Sequence, residues 1–131
     1  MRDIKNNIDV AVSVVPAVHT TTPTPPTATD LQEFNSAMAV FAVGAADVAN
    51  ADETYLPGLE ESDTLGSGYT TVAAGDLDGE VTTLLLNTVR KIGYTGSKRY
   101  IRPTITIAGT TPSIAVGVVI VRGHPDARPV A

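Results

Sequence analysis

Residues 98–123, KRYIRPTITIAGTTPSIAVGVVIVRG, decide the fold class of this chain. From Tyr100 to Ile107 polar and apolar residues alternate, which is the period-two pattern of a strand with one apolar face. The turn composition Gly-Thr-Thr-Pro follows at 109–112, and residues 113–122 are then apolar at nearly every position. The pattern predicts a β-hairpin at the centre of an all-β domain, with a second strand that is buried on both faces.

The composition fits a single domain with an aliphatic core. The chain has 131 residues, enough to bury about two thirds of its unfolded surface. Hydrophobic residues make up 43% and aromatic residues only 5%, so the core must consist mainly of Val, Ile, Leu and Ala. The β-branched members of that set favour strands. The absence of Cys excludes disulfides, thiolate metal sites and a cysteine nucleophile.

Further short strands are expected along the chain, separated by Gly and Pro turns. The first carries Ile8, Val10, Val12 and Val14 at alternate positions and is predicted to end at Pro16. Others are predicted at 30–34, 36–43, 54–61, 69–73 and 89–94, of which the first two are alternatively one long bent strand. The composition of 36–43 suits a short helix equally, but its alternation favours a strand. A leucine triplet at 84–86 is expected to close one end. About eight short antiparallel strands predict a single-domain β-sandwich or jelly roll with extended N- and C-terminal arms.

The segment between the first strand and the core is rich in Thr and Pro. Residues 16–29 include the pair Pro25-Pro26, which favours an extended, polyproline-like connection. Such a segment packs either against a neighbouring subunit or back along the chain's own sheet. We therefore divide the single domain 1–131 into an N-terminal strand and arm (1–28), a core (29–122) and a C-terminal tail (123–131).

Charge is segregated along the sequence, although the net charge is only −5. Residues 30–80 hold eleven acidic residues and no Lys or Arg, whereas residues 90–128 hold seven basic residues and one acidic residue. In one interpretation these groups meet within one fold, in exposed pairs worth about 0–1 kcal/mol each. In the other they form patches that meet between subunits and fix partner and register.

The sequence offers few motifs for catalysis or ligand binding. The acidic turn at 76–80 begins like a calcium loop but lacks its later ligands, and neither His19 nor His124 accompanies a nucleophile motif. Basic and aromatic residues at 94–102 resemble a platform for bases or sugars, but we favour a polar strand face with Tyr rings packed on neighbours. We expect no catalytic residue, metal, cofactor or small-molecule substrate.

Membrane and nucleic-acid partners are also not expected. No apolar run approaches the roughly 20 residues of a membrane-spanning helix, and the opening MRDIKNNIDV lacks the apolar segment of a signal peptide. The negative net charge argues against direct nucleic-acid binding by the chain as a whole. We expect a chain that is made in the cytoplasm.

Several segments carry a resemblance to a known family. They are MRDIKNNIDVAVSVVPAVHT at 1–20, LEESD at 59–63 with YTTV at 69–72, DLDG at 76–79, RKIGYTGSKRYIR at 90–102 and VIVRGHP at 119–125. Through them the chain resembles a family of small virion structural proteins, encoded among the head genes of tailed bacteriophages and prophages. The resemblance spans nearly the whole chain and implies a capsid decoration, or cement, protein with a β-sandwich or jelly-roll fold.

The resemblance also implies partners and a location. It implies a non-enzymatic protein of the phage head surface, made in the host cytoplasm, that binds between major capsid subunits and to other copies of itself as a homo-oligomer. The alternatives are a neck, tail or head-fibre component and, less favoured because the chain has only four Tyr and two Phe, a glycan-binding adhesion module. The expected inter-subunit contacts are Arg2, Lys5, Pro23, Pro25, Pro26, Lys98, Arg99, Arg102, Arg122, His124 and Arg128.

Overall fold

The computed structural model describes residues 3–49, 51–127 and 129–130. These residues form nine strands and two short 3-10 helices, at Lys5–Asn7 and Ala74–Asp76. The strands are β1 (Ile8–His19), β2 (Thr29–Asp30), β3 (Phe34–Ala46), β4 (Thr54–Ser62), β5 (Thr70–Thr71), β6 (Leu77–Asp78), β7 (Val89–Tyr94), β8 (Tyr100–Ala108) and β9 (Ile114–Pro125).

The strands build two antiparallel sheets that enclose one core. The five-stranded sheet has the order β1-β9-β3-β7-β6, and the four-stranded sheet has the order β2-β8-β4-β5. Strands from the first part of the chain pair in turn with strands from the later part: β1 with β9, β2 with β8, β3 with β7 and β4 with β5. The chain is thus one long double-stranded ribbon rolled into two layers, which is the connectivity of a jelly roll. The predicted all-β sandwich is confirmed.

The predicted central hairpin is wrong, because β8 and β9 lie in different sheets and do not pair. In the rolled ribbon each of them pairs instead with a strand from the N-terminal part of the chain. The connection crosses between the sheets at Gly109, whose φ is 116°. A Cβ there would lie 2.7 Å from the Cα of Glu53, so glycine is required both by conformation and by space. The apolar faces of β8 and β9 therefore meet across the core.

The core is filled by aliphatic side chains from both sheets, as the composition predicts. Its buried members are Val14, Ala39, Phe41, Val43, Tyr55, Leu59, Val72, Leu84, Ile92, Tyr94, Ile101, Ile105, Ile114, Val116, Val118 and Ile120. The hydroxyl of Tyr55 donates to the carbonyl of Asp47 at 2.6 Å and accepts from the N–H of Ser113 at 3.1 Å. Of the predicted leucine plug only Leu84 is buried, whereas the next two leucines are exposed.

Strand β1 continues past Pro16, where the sequence predicts its end. Its pairing with β9 runs from Ile8 to His19, with register shifts between Val12 and Val14 and between Val14 and Ala17. The proline lies within the second shift on an edge strand, where a missing N–H is tolerated. Its ring lies over Gly117, because a Cβ on that glycine would be 2.6 Å from Pro16 Cγ.

The described parts of the segments predicted as extended arms lie against the sandwich. After β1, the hydroxyl of Thr22 accepts a hydrogen bond of 3.0 Å from the N–H of Ile107, and β2 then pairs with β8. At the C-terminus, the N–H of Asp126 donates to the carbonyl of Glu33 at 2.8 Å. Of the two alternatives for the Thr/Pro segment, the structure shows packing along the chain's own sheet.

Candidate interaction surface

The outward face of the four-stranded sheet is largely polar. Strands β4 and β8 present outward Thr54, Leu56, Glu60, Arg102, Thr104 and Thr106. The residues between them, including Tyr55, Leu59, Ile101 and Ile105, point into the core and are buried. This alternation is typical of an antiparallel sheet with one solvated face.

The outward face of the five-stranded sheet is mostly apolar. The strand registers place on it Ile8, Val10, Val12, Val18, Met38, Val40, Ala42, Val89, Ala115, Val119 and Val121. We call this set the outer apolar face. Its rim is well exposed, with 53% of the accessible surface of Val10 and 65% of that of Val89 open to solvent. Soluble monomers seldom expose contiguous apolar patches above a few hundred Å².

A bulge in β1 creates one side of this face. Val12 and Val14 are two residues apart, yet Val12 is 63% exposed and Val14 only 7% exposed. The register shift between them puts Val12 opposite Val119 but Val14 opposite Val118, the next residue of β9. A register shift of this kind changes the face that the following residues occupy. Of the alternating apolar residues of β1, Ile8, Val10 and Val12 therefore point outward, and only the last, Val14, enters the core.

The centre of the outer apolar face carries no charged residue among the described positions of β1, β9 and β3. Charges lie at the far margin of the sheet, where Lys91 of β7 stands opposite Val40 and Asp78 of β6 stands opposite Gly93. Both charged residues are exposed. The face thus combines a neutral, apolar centre with one margin that holds a cation and an anion.

An open groove of about 850 Å³ adjoins this face at the N-terminal end of β1. Its lining is Asp3, Ile4, Asn7, Ile8, Ser36, Ala37, Met38, Val121, Gly123 and His124. Within it the hydroxyl of Ser36 and Nδ1 of His124 lie 2.8 Å apart in a hydrogen bond. The groove extends the apolar surface and adds a small polar cluster to it.

The Ser36–His124 pair holds the end of β9 against β3. Nucleophilic catalysis would also need a group that orients the other ring nitrogen, and no hydrogen bond to Nε2 of His124 occurs within the described residues. The side chain of Asn35 donates to the carbonyl of His124 at 3.0 Å and to Oδ1 of Asp126 at 2.8 Å. These bonds fasten the same turn, so the arrangement is explained by structure.

Four predicted contact residues form ion pairs within the chain, of which Arg122, paired with Asp9, is described below. Lys98 pairs with Asp63 at 2.6 Å, Arg99 with Asp30 at 2.8 Å, and Arg102 with Glu60 at 2.6 Å. Hydrogen bonding from Arg99 holds the pKa of Asp30 below its usual value, and Lys98 does the same for Asp63. The acidic and basic segments therefore meet within one fold in these pairs. Contacts of these residues with another subunit stay a prediction.

Arg122 closes one end of the sandwich. Its guanidinium bonds to the carboxylate of Asp9 and donates to the backbone carbonyl of Asp30 at 2.6 Å. It also lies 4.5 Å from the ring centre of Phe34. Three strands, β1, β2 and β3, are thus tied to β9 through one side chain that is only one-fifth exposed.

The remaining predicted contact residues lie at several places on the surface. Lys5 is exposed in the first 3-10 helix, and Pro25 is exposed in the Thr/Pro segment. Pro23 and Pro26 are half-buried beside the edge of β8. Arg2 and Arg128 lie outside the described residues. The structure does not bring the described members of this set together into one patch.

The basic and aromatic cluster at 94–102 is occupied by contacts within the chain. Tyr94 is buried, and the guanidinium of Arg102 lies 3.9 Å from the ring centre of Tyr69. Within residues 3–49, 51–127 and 129–130 no group of three or more His, Asp or Glu side chains could hold a metal ion. No helix in the same part of the chain is long and apolar enough to span a membrane.

The outer apolar face was missed as a candidate site by the sequence pattern, although part of its signal is visible there. Strand β9 is apolar on both faces, which predicts that both faces are covered. Val119 and Val121 lie on the face that points away from the core. The outward direction of Val10 and Val12 had no such signal, because it depends on the register shift after Val12. Comparison with models of protein families gives no match, and a search of curated proteins gives none.

Proposed function

We propose that this chain is a non-enzymatic structural protein of the virion of a tailed bacteriophage or prophage. In this role it decorates the head surface by binding between major capsid subunits and to other copies of itself. The observation that carries the proposal is the outer apolar face, because a stable sandwich that leaves one sheet face apolar has a surface suited to permanent contact with protein.

The sequence resemblance supplies the virion setting, and the jelly roll supports it by analogy. Jelly rolls are frequent among viral capsid and lectin domains. A fold alone does not assign a function, so the analogy ranks below the exposed surface as an argument. The hydrogen bonds of Thr22 and Asp126, which hold the described parts of both arms to the sandwich, add to the same picture, because a protein that reinforces a shell works best as a rigid body.

The expected mechanism is stabilisation by mass action. A protein that binds the assembled shell and not its separated subunits lowers the free energy of the assembled state. Repetition of one modest contact over many equivalent positions multiplies that effect across the particle. No chemical step is involved in this role.

The test uses heads assembled from the virus that encodes this chain, with the gene for this chain deleted. Purified protein is added, bound copies are counted by quantitative gel electrophoresis, and positions are located by electron cryomicroscopy. We expect saturable binding at hundreds of symmetric positions. We also expect binding to persist at 1 M salt, where the Debye length falls to about 3 Å, because an apolar contact is not screened.

Other distributions would contradict the proposal. Copies found only at the portal vertex or along the tail would make the chain a neck or tail component. Absence from the particle under all conditions would remove the virion role. If the outer apolar face makes a contact in the decorated head, with capsid protein or with another copy, Val12→Lys should bind less, whereas Leu56→Lys on the polar sheet should bind like the wild type.

A further inference from the structure

We propose that the outer apolar face is the interface of a homodimer, in which two copies stack their five-stranded sheets face to face. The occupant of the face is therefore a second copy of this chain. The inference deepens the proposed function, in which copies bind one another, because it assigns that contact to the outer apolar face; it stands whether or not the chain binds a capsid.

The area of the face approaches what a stable dimer needs. Strands lie about 4.8 Å apart and rise about 3.3 Å per residue, so β1, β9 and β3 between Ile8 and Val18 cover roughly 500 Å² in projection. Strand β7 extends this surface with Val89. Side chains make the accessible area larger than the projection, and a specific interface buries about 800 Å² on each partner. The face is therefore large enough to supply most of such an interface.

The chemistry of the face suits an identical partner. Its centre is neutral and built from valine, methionine and alanine, so it carries no charge that would repel a copy of itself. A two-fold dimer brings the same patch of both copies together. The charged margin of Lys91 and Asp78 holds one cation and one anion, which allows opposite charges to meet across such an axis.

Stacking of the faces fits the structure better than edge-to-edge pairing of β1. An edge that extends a sheet into a neighbour should be regular, whereas β1 has two register shifts and contains Pro16. Two twisted sheets, by contrast, pack face to face about 10 Å apart with their strands within about 30° of each other. The outward valines are the interdigitating side chains that such packing requires.

The experiment measures the mass of the full chain by sedimentation equilibrium from micromolar to near-millimolar concentration. We expect the wild type to reach twice the 13.6 kDa mass of one chain. Val12→Lys and Val40→Lys should each weaken dimerisation about a hundredfold or more, because an ammonium group would be desolvated between apolar faces. Leu56→Lys adds the same charge on the outward face of the other sheet and should dimerise like the wild type.

The two variants distinguish face-to-face stacking from edge-to-edge pairing and from a failure to fold. Val40 lies on β3, two strands away from the β1 edge, so edge-to-edge dimers would survive Val40→Lys. Val12 is exposed, so Val12→Lys folds even if Val40→Lys is too unstable to measure; thermal unfolding of both checks this. A wild type that stays monomeric at every concentration overturns the proposal. Dimers that are equally strong in Val12→Lys and Leu56→Lys overturn it as well.

Discussion

The hydroxyl of Tyr94 on β7 donates a 2.5 Å hydrogen bond to Oε2 of Glu61 on β4, and this contact joins the two sheets at one end of the core. The same hydroxyl accepts from the N–H of Lys98 at 2.9 Å. The pKa of Tyr94 is raised well above its usual value, mainly by burial and secondly by the bond to Glu61. A neutral phenol therefore bridges a carboxylate and a backbone donor between the sheets.

Removal of this hydroxyl should destabilise the fold. We expect Tyr94→Phe to lower the free energy of unfolding by about 1.5–3 kcal/mol, the range for a hydrogen bond to a charged group. Urea denaturation measures the change. Tyr100→Phe is the matched control, because no hydrogen bond of the Tyr100 hydroxyl is seen within the described residues and its ring contact with Arg99 is kept by phenylalanine. Its effect should stay within about 0.5 kcal/mol. Equal losses in the two variants would refute the bridging role.

The same pair predicts an alkaline signature. Since the pKa of Tyr94 is raised in the folded state, its contribution is complete below about pH 10, the pKa of an unfolded tyrosine, and is lost as pH rises above it. The difference in unfolding free energy between wild type and Tyr94→Phe should therefore be constant at neutral pH and shrink above about pH 10. A difference that does not change with pH would show that the phenol is not held neutral.

The cluster around Arg122 predicts a large effect of a neutral substitution. We expect Arg122→Gln to cost about 2 kcal/mol, because Asp9 loses its cation and the carbonyl of Asp30 loses its donor in a half-buried place. Lys91→Gln removes one positive charge from an exposed site and should change stability by less than about 0.5 kcal/mol. Denaturation curves that coincide for the two variants would contradict this assignment.

The close approach of Pro16 to Gly117 predicts a steric effect. We expect Gly117→Ala to cost about 1–3 kcal/mol, because the added methyl group would lie 2.6 Å from a rigid proline ring and would force β1 away from β9. Gly44→Ala is the control, since its nearest neighbour would be the Cβ of Ala115 at 3.5 Å, an ordinary contact. Thermal unfolding compares them, and a harmless Gly117→Ala would show that β1 shifts freely.

The pair of Arg99 and Asp30 predicts a small acid dependence. Because the pKa of Asp30 is lowered in the folded state, its contribution is present above the usual pKa of about 3.9 and is lost as pH falls below it. Both side chains are more than a third exposed, so solvent screening limits the effect to about 1 kcal/mol or less. Asp30→Asn should thus match the wild type near pH 2 and be less stable at pH 7.

An acid dependence that is identical in wild type and Asp30→Asn would assign the effect to other carboxylates. Asp63, paired with Lys98, is the next candidate, because its pKa is also lowered. Unfolding by urea at several pH values separates the two when Asp63→Asn is measured in parallel.

Several strands are readable from local pattern alone. The predicted strand at 89–94 matches β7, Val89–Tyr94, and the one at 54–61 nearly matches β4, Thr54–Ser62. In these places apolar alternation and flanking turn residues point to the same answer. Whether a segment forms a strand depends mainly on residues close to it in sequence, so a single sequence is enough to predict it.

The pairing of strands, unlike their positions, does not follow from local pattern. Gly109 and the residues after it have the composition of a hairpin turn, and nothing local distinguishes a turn within one sheet from a crossover between two. The outcome depends on the strands at the other end of the chain, which offer β8 and β9 their partners. The candidate site shares this dependence, because the direction of Val12 follows from its register against Val119.

The sequence by itself determined an all-β chain with an aliphatic core and short strands, because hydrophobic period and turn chemistry are local properties. Only the tertiary structure decided which apolar residues are buried and which are exposed. Closure of the ribbon pairs β1 with β9, and the bulge after Val12 then sends Val14 into the core and leaves Val10 and Val12 outside. The face of the sheet on which a side chain lies is set by the register of its strand against a strand distant in sequence. A shift of one residue in that register moves the side chain to the other face.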